Sequence, residues 1–224
     1  MEISMDNIWS ENPAYDIDVV FCLDMTGNVQ GISQVSNGLC DFYDRFVERF
    51  EADGCELGSI RAKFVLFRDY LYDDEPMVES MFFDLGTEMD EALAFANGFY
   101  PGGGGDLCEN SLEALSIAMD SEWRDKKRHY RKIIVLVTDS TPLPLCDERR
   151  VGSPMYPMGM PESFDALREK WDSLGRQKRL FLFAPYDAEW QSMCEWDNVF
   201  MSPVKNNSNC CDVDFMPMIV ELFH

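Results

Sequence analysis

The stretch DIDVVFCLDMTGNVQG, residues 16–31, places a carboxylate at the end of an apolar run. The run before Asp24 is almost entirely apolar, which is typical of a central strand buried on both faces of its sheet. Thr26 and Asn28 follow at alternating positions around Gly27. In a tight turn after a strand, these side chains can direct their oxygens to one place while the glycine supplies the bend.

Strand-like and helix-like segments alternate along the rest of the chain. The candidate strands are 17–23, 61–67, 79–84, 132–138, 179–184 and 198–202. The candidate helices are 28–51, 88–97, 109–120, 162–174 and 213–222, the first with apolar residues mostly three and four apart. This alternation predicts an α/β fold in which helices cover a mostly parallel central sheet. We expect a single domain over 1–224, with its core at about 16–220.

The composition excludes several classes of partner. The chain carries 41 acidic and 19 basic residues, a formal net charge of -22. Nucleic acids and anionic membranes are bound through Lys and Arg, so we expect neither as a partner. The same field concentrates cations, although acidic surfaces often only keep a protein soluble.

The cysteines and the apolar runs bear on location. No two of the eight cysteines are spaced CxxC, and several lie within apolar runs, which fits a reduced compartment. The first residues carry neither a basic region nor an apolar core of the kind found in a secretion signal. The longest apolar runs, VVFCL and IIVLV, are far shorter than the roughly 20 residues that span a bilayer. We therefore expect a cytoplasmic protein.

Two further loops carry aspartates that can join Asp24. Asp139 ends the strand candidate KIIVLVT, and the glycine run PGGGGD delivers Asp106 before a helix. Ligands of parallel sheets collect beyond the carboxyl ends of the strands, so we expect the three loops to meet there. Oxygen ligands without nearby His or Cys favour a hard cation, with Mg²⁺ first and Mn²⁺ or Ca²⁺ as competitors.

Each of these features also has a simpler interpretation. Asp24 is equally suited to capping a helix or closing a turn. The glycine run is either a flexible connector or a segment of close backbone approach beside the site. Arg68 and Asp69 are either supporting groups of the site or, more simply, a surface ion pair. Glu109 is explained by the start of the helix that follows it, where a carboxylate meets the positive end of the helix dipole.

The three loops, taken together, resemble the von Willebrand factor A domain family. Asp24, Thr26 and Asn28 match its D-x-S-x-S adhesion-site motif, and the glycine loop and the Asp139 of VLVTD follow in family order. The details FRDY (67–70), GGGGDLCEN (102–110) and a tryptophan at 123 resemble the intracellular branch found beside alpha-kinases and in bacterial stress or defence clusters.

The resemblance implies a fold, a site and a role. The fold is a Rossmann-like three-layer α/β/α sandwich, and the role is to bind partner proteins through a metal-ion-dependent adhesion site, usually without catalysis. The implied ligands are Asp24, Thr26, Asn28, Asp106 and Asp139. Asn28 stands where the family usually has serine, and Asp106 stands where its extracellular members have threonine.

The second departure changes the charge of the site. With Asp24, Asp106 and Asp139 ionised around a dication, the formal charge is already -1. A partner's carboxylate at 4 Å would then be repelled by roughly 4 kcal/mol at an effective dielectric constant of 20. We infer that one aspartate ligates through water or that the partner offers a neutral oxygen.

The segment 141–163, with five prolines and three methionines, follows Asp139 almost directly. We interpret it either as a soft apolar surface for a protein partner on the rim of the site, or as a disordered insertion. In either case we expect a short Gly-Ser turn to replace it without loss of folding.

Three functions from different classes remain open. The first is a non-enzymatic module of an intracellular multi-protein complex, which docks a partner at the metal face and the 141–163 loop. The second is a metal-dependent phosphohydrolase, although phosphatases of the D-x-D type need a carboxylate where Thr26 stands. The third is a degenerate, metal-free scaffold.

Overall fold

The computed structural model describes residues 14–27, 31–105, 108–124, 129–204 and 214–221. The strands in these ranges are β1 (Ala14–Asp24), β2 (Glu56–Phe67), β3 (Met77–Glu79), β4 (Phe83–Asp84), β5 (Cys108–Glu109), β6 (Tyr130–Val137), β7 (Thr141–Pro142), β8 (Lys178–Pro185) and β9 (Val199–Val204). The helices are α1 (Gly31–Ala52), α2 (Met89–Asn97), α3 (Ser111–Met119), α4 (Glu148–Val151), α5 (Phe164–Ser173), α6 (Ala188–Met193) and α7 (Phe215–Glu221). None of the helices described is long and apolar enough to cross a membrane.

A single mixed sheet forms the centre of the molecule. Its order is β3-β2-β1-β6-β8-β9, and β4 also pairs with β2. The long strands run parallel, whereas β3 and β4 run antiparallel to β2. From β1 the chain first continues to β2 on one side and later to β6 on the other. The carboxyl ends of β1 and β6 therefore lie at the switch point, where open α/β sheets bind ligands.

Helices cover both faces of this sheet. Phe21 of β1 faces α1, where its ring centroid lies 5.9 Å from that of Phe42, in a core that α2 and α7 complete. Val20 and Cys22 point to the opposite face, into a core shared with α3, α5 and α6. The fold is thus a Rossmann-like three-layer sandwich with a mostly parallel sheet, which confirms the predicted fold class.

The predicted strand 79–84 is wrong in detail, because two short antiparallel strands replace it. Ser80 separates them: its N–H donates to the carbonyl of Phe64 at 2.9 Å, and its hydroxyl accepts the N–H of Phe64 at 3.0 Å. The same hydroxyl donates to the carbonyl of Met81 at 2.7 Å. Because a side-chain oxygen takes the place of a backbone acceptor, the ladder is interrupted at this residue.

A buried aspartate holds the amino-terminal side of β1. Asp18 is fully buried and accepts Nε and Nη2 of Arg61 at 2.8 and 2.7 Å, Nε of Arg124 at 2.8 Å and the hydroxyl of Tyr130 at 2.7 Å. Burial acts to raise the pKa of Asp18, but these hydrogen bonds outweigh it, so the pKa lies below its ordinary value. Asp18 therefore ties β1, β2 and β6 to the segment after α3 through a charged network.

We predict that Asp18→Asn destabilises the domain by about 3–5 kcal/mol at pH 7, because two partly buried guanidinium groups lose their fully buried counter-charge. The pKa of Asp18 is lower in the folded state, so its contribution is present above about pH 4 and is lost as the pH falls through the folded value. Urea unfolding of both proteins at pH 7 and pH 3 measures this. Asp44→Asn, at an exposed position on α1, is the control. If the difference in free energy of unfolding between wild type and Asp18→Asn is the same at pH 7 and pH 3, the lowered pKa of Asp18 is contradicted.

Candidate metal site at the carboxyl edge of the sheet

Asp24 is the last residue of β1 and its side chain is fully buried. Its Oδ1 accepts the backbone N–H of Thr26 at 2.9 Å and the Thr26 hydroxyl at 2.7 Å. Its Oδ2 accepts the hydroxyl of Thr138, the residue that follows β6, at 2.6 Å. The carboxylate therefore closes its own turn and also bridges the ends of two neighbouring strands. The sequence did not indicate Thr138, since a threonine at a strand end is common.

The charge of Asp24 is not balanced by a basic side chain within the described residues. The other two aspartates that are fully buried in the described part of the chain are both paired with arginine: Asp18 with Arg61 and Arg124, and Asp69 with Arg150. For Asp24, the donors among the described residues are two hydroxyls and one amide. Burial raises the pKa of Asp24 to about 6, partly offset by these hydrogen bonds. A buried carboxylate of this kind either takes up a proton or binds a cation.

Asp139 lies beside Asp24, as the sequence predicted. It directly follows Thr138 and is partly exposed, with a 3.4 Å hydrogen bond from the Ser140 hydroxyl. Partial burial raises the pKa of Asp139. The negative charge of Asp139 also contributes to the raised pKa of Asp24, because the two like charges are close. The structure thus brings two of the predicted carboxylates and Thr26 to one place.

The glycine run packs directly on the loop that follows β1, referred to below as the first loop. The N–H of Gly102 donates to the carbonyl of Met25 at 2.7 Å. Gly104 has a φ of +76°, and a Cβ there would lie 3.1 Å from Cβ of Thr26. Both the left-handed backbone and this close approach favour glycine, since a larger residue would be strained there and would push against Thr26. The run is therefore a segment of close approach beside the site, and the interpretation as a flexible connector is wrong.

The segment after the glycine run is joined to the loop after β6. Cys108 and Glu109 of β5 pair in parallel with Thr141 and Pro142 of β7. Glu109 is buried, and its Oε1 lies 3.1 Å from the position of a Cβ on Gly104. The helix begins at Ser111 with Asn110 as its N-cap residue, so Glu109 lies just before the helix and not in its first turn. A strand of two residues is too short to show an alternation of apolar residues, so the sequence did not predict β5.

Two of the five predicted ligands lie outside the described residues. Asn28 and Asp106 are in the gaps at 28–30 and 106–107, so their part in the site stays a prediction. Within the described ranges, no group of three or more His, Cys, Asp or Glu side chains is arranged to hold a metal ion. The described part of the candidate site consists of Asp24, Thr26 and Asp139.

Arg68 and Asp69 do not form the surface ion pair that their sequence suggests. Asp69 is fully buried and accepts Nε of Arg150 at 3.2 Å, with a second, shorter bond from Nη2. Arg68 instead donates hydrogen bonds to backbone carbonyls, including the carbonyl of Gly102 at 2.9 Å. Arg150 lies in α4, so the pair joins the turn after β2 to the 141–163 segment across 81 residues of sequence.

Further contacts fix the 141–163 segment to the domain. Tyr156 donates its hydroxyl to Oε1 of buried Glu113 at 2.8 Å, and its ring lies 5.1 Å from that of Tyr70. Leu143 and Leu145 are buried beside α3. The segment is therefore not a disordered insertion, and these contacts argue against its replacement by a short turn.

Exposed apolar side chains lie beside the glycine run and in the 141–163 segment. Leu71 and Tyr72, in the turn after β2, are 42% and 52% exposed, and Tyr72 lies against Gly105. Met155 and Met158 in the 141–163 segment are 54% and 98% exposed. A groove of about 560 Å³, lined in part by Thr141 and Pro142 of β7, lies between α3, α5 and α6, and Glu162 and Glu189 contribute to its lining.

We predict that Arg150→Ala destabilises the domain by about 3–5 kcal/mol, because it leaves the Asp69 carboxylate buried without its cation. Arg149→Ala is the matched control: this neighbour is mostly exposed and pairs with Asp147, an ion pair of the exposed kind that is worth at most about 1 kcal/mol. Urea unfolding measures both. Equal losses in the two variants would contradict an anchoring role for the buried pair.

No protein-family model and no curated protein sequence matches the chain. Among solved structures, it is similar to two crystal structures of the pilus adhesin SpaC from Lactobacillus rhamnosus GG, one of them in an open conformation. The TM-scores are 0.56 and 0.57, and each structure is 12% identical in sequence and covers 94% of this chain. The chain spans 31% and 30% of the adhesin's length. At this identity the likeness shows the fold alone.

Proposed function

We propose that this chain is a non-enzymatic protein-interaction module that binds a divalent cation, Mg²⁺ first, at the carboxyl edge of its sheet. The observation that carries the proposal is Asp24, a fully buried carboxylate with hydroxyl and amide donors but no basic partner among the described residues. A cation supplies the positive charge that arginines supply to Asp18 and Asp69. A cytoplasmic location and the resemblance to von Willebrand factor A domains are part of this proposal.

The donor set fits a hard cation. Asp24, Thr26 and Asp139 offer carboxylate and hydroxyl oxygens, which Mg²⁺ prefers to nitrogen or sulfur. Thr26 uses its hydroxyl hydrogen in the bond to Asp24, so the lone pairs of that oxygen stay available. Asn28 and Asp106 would supply the remaining protein ligands, and water would complete the shell.

In this proposal the neighbouring residues orient the carboxylate of Asp24. Thr138 holds Oδ2 of Asp24 from the next strand, and the Thr26 N–H and hydroxyl hold Oδ1. Both carboxylate oxygens are thus fixed by the surrounding turns. When bound, the metal supplies an electrophilic position that accepts an oxygen atom from a partner.

The surroundings suit a protein as the partner. Exposed Leu71 and Tyr72 lie on one side of the glycine run, and the 141–163 segment adds Met155 and Met158. Methionine side chains adapt to different apolar surfaces. The metal face and the 141–163 loop together form the docking surface in this proposal.

We predict that Mg²⁺ binds the wild-type protein at one site and that Asp24→Asn reduces the affinity at least tenfold, because it removes a charged ligand from the centre of the site. Isothermal calorimetry measures the binding. The wild type should also gain about 2.7 kcal/mol of stability at a Mg²⁺ concentration one hundred times its Kd.

The control for this experiment is Asp44→Asn, which removes the same charge from an exposed position on α1. Absence of binding to the wild type, or equal binding to both variants, would favour the metal-free scaffold. Hydrolysis of ATP or p-nitrophenyl phosphate by the wild type that is lost in Asp24→Asn would favour the phosphohydrolase instead.

We predict that Mg²⁺ does not strengthen the binding of a small acidic ligand. Three ionised aspartates already exceed the charge of the metal, and another carboxylate would be repelled by roughly 4 kcal/mol at 4 Å and a dielectric constant of 20. Titrating the peptide Gly-Asp-Gly and its neutral analogue Gly-Asn-Gly, with and without Mg²⁺, compares a carboxylate oxygen with an amide oxygen as the partner's ligand. Strong binding of the acidic peptide that requires Mg²⁺ would refute the neutral-oxygen interpretation.

A further inference from the structure

The turn between β2 and β3, residues 68–76, holds the glycine run from the side opposite the first loop. Arg68 donates Nε to the carbonyl of Gly102 at 2.9 Å and Nη2 to the carbonyl of Tyr100 at 3.2 Å. Its third donor, Nη1, reaches the carbonyl of Glu75 at 3.2 Å within the turn itself. One guanidinium group therefore fastens the glycine run to the turn.

Asp73 makes the second attachment. Both of its carboxylate oxygens accept the N–H of Gly104, at 3.2 and 3.0 Å. Oδ2 also accepts the N–H of Asp69 at 3.1 Å, which fixes the carboxylate within the turn. Gly103 has a φ of +89°, and a Cβ there would overlap Oδ1 of Asp73. The backbone of the glycine run thus lies directly on this carboxylate.

The two sides of the glycine run have different neighbours. Gly104 faces Asp73 with its N–H, and the position of its missing Cβ is 3.1 Å from Cβ of Thr26. The N–H of Gly102 bonds to the carbonyl of Met25, while its carbonyl bonds to Arg68. The run is therefore clamped between the turn after β2 and the loop that carries Asp24 and Thr26.

We propose that Asp73 and Arg68 are positioning residues of the candidate metal site: they fix the glycine run against Thr26 before a metal binds. A loop that is already held in place does not have to be ordered on binding, so the affinity for the metal is higher. The expected effect on metal affinity rests on the proposed function. The expected effect on the order of the glycine run does not, and it is measurable in the metal-free protein.

A simpler role for Asp73 is that its negative charge attracts cations over a distance. Asp74, the next residue, is exposed, so its replacement removes the same charge at almost the same place without touching the glycine run. Asp73→Ala and Asp74→Ala therefore form a matched pair. Asp73→Asn removes the charge but keeps one acceptor oxygen for Gly104, so charge and hydrogen bond are separated.

The experiment uses the full chain and two measurements. Amide hydrogen exchange, read by NMR without metal, should be at least tenfold faster at Gly104 in Asp73→Ala, intermediate in Asp73→Asn and unchanged in Asp74→Ala. Calorimetry with Mg²⁺ should give at least a fivefold loss of affinity in Asp73→Ala, a smaller loss in Asp73→Asn and less than twofold in Asp74→Ala. Arg68→Met should accelerate exchange at Gly102.

The outcomes separate this proposal from the proposed function. Equal losses of Mg²⁺ affinity in Asp73→Ala and Asp74→Ala would mean that only charge matters, and would overturn the positioning role. Unchanged exchange at Gly104 in both Asp73 variants would overturn it as well, and Asp73→Asn keeps this test valid if Asp73→Ala fails to fold. If the wild type binds no Mg²⁺, the proposed function fails and the metal role of Asp73 with it, whereas faster exchange at Gly104 would still support the clamp.

Discussion

The hydrogen bond from Thr138 to Asp24 joins the ends of the two strands at the centre of the sheet. At 2.6 Å it connects the residue after β6 with the last residue of β1, at the switch point of the parallel sheet. The rest of the edge is arranged around this contact. The first loop closes on Oδ1 of the same carboxylate, and the glycine run packs on that loop through Met25 and Thr26.

Strand β1 buries two aspartates on the same face, and their surroundings differ. Asp18, at the amino-terminal side, receives two arginines and a tyrosine, so its negative charge is balanced within the protein. Asp24, at the carboxyl-terminal end, receives only hydroxyls and an amide from the described residues. Burial acts to raise the pKa of both carboxyl groups, so the difference between them comes from their hydrogen-bonding partners. The first arrangement is that of a structural ion pair, and the second leaves the charge to be neutralised by a proton or, in our proposal, by a cation.

The features that the sequence predicted are those that leave a local pattern. The apolar runs before Asp24 and Asp139 gave the central strands β1 and β6, and the spacing of apolar residues gave α1. Once a parallel sheet was inferred, its geometry required the loops after those strands to meet at one edge. The close position of Asp24 and Asp139 follows from topology alone.

The features that the sequence missed depend on contacts between distant residues. Asp69 and Arg150 are 81 positions apart, and Glu113 and Tyr156 are 43 apart, so neither pair leaves a period or a motif. Arg68 and Asp69 are adjacent and of opposite charge, which suggests an ion pair. The chain turns between them, however, and each side chain finds a different partner. Their roles follow only from tertiary structure.

The turn after β2 has a larger part in the site than its polar, unpatterned sequence suggests. Asp69 binds the 141–163 segment through Arg150, while Arg68 and Asp73 bind the glycine run. Two of the loops around Asp24 are thus fastened to the same short turn, and that turn is itself held by the pairing of β2 with β3. The distance between the two loops is therefore set by one element of the fold. In a site built from separate loops, such a common support lets several ligands keep their relative positions without a metal to hold them.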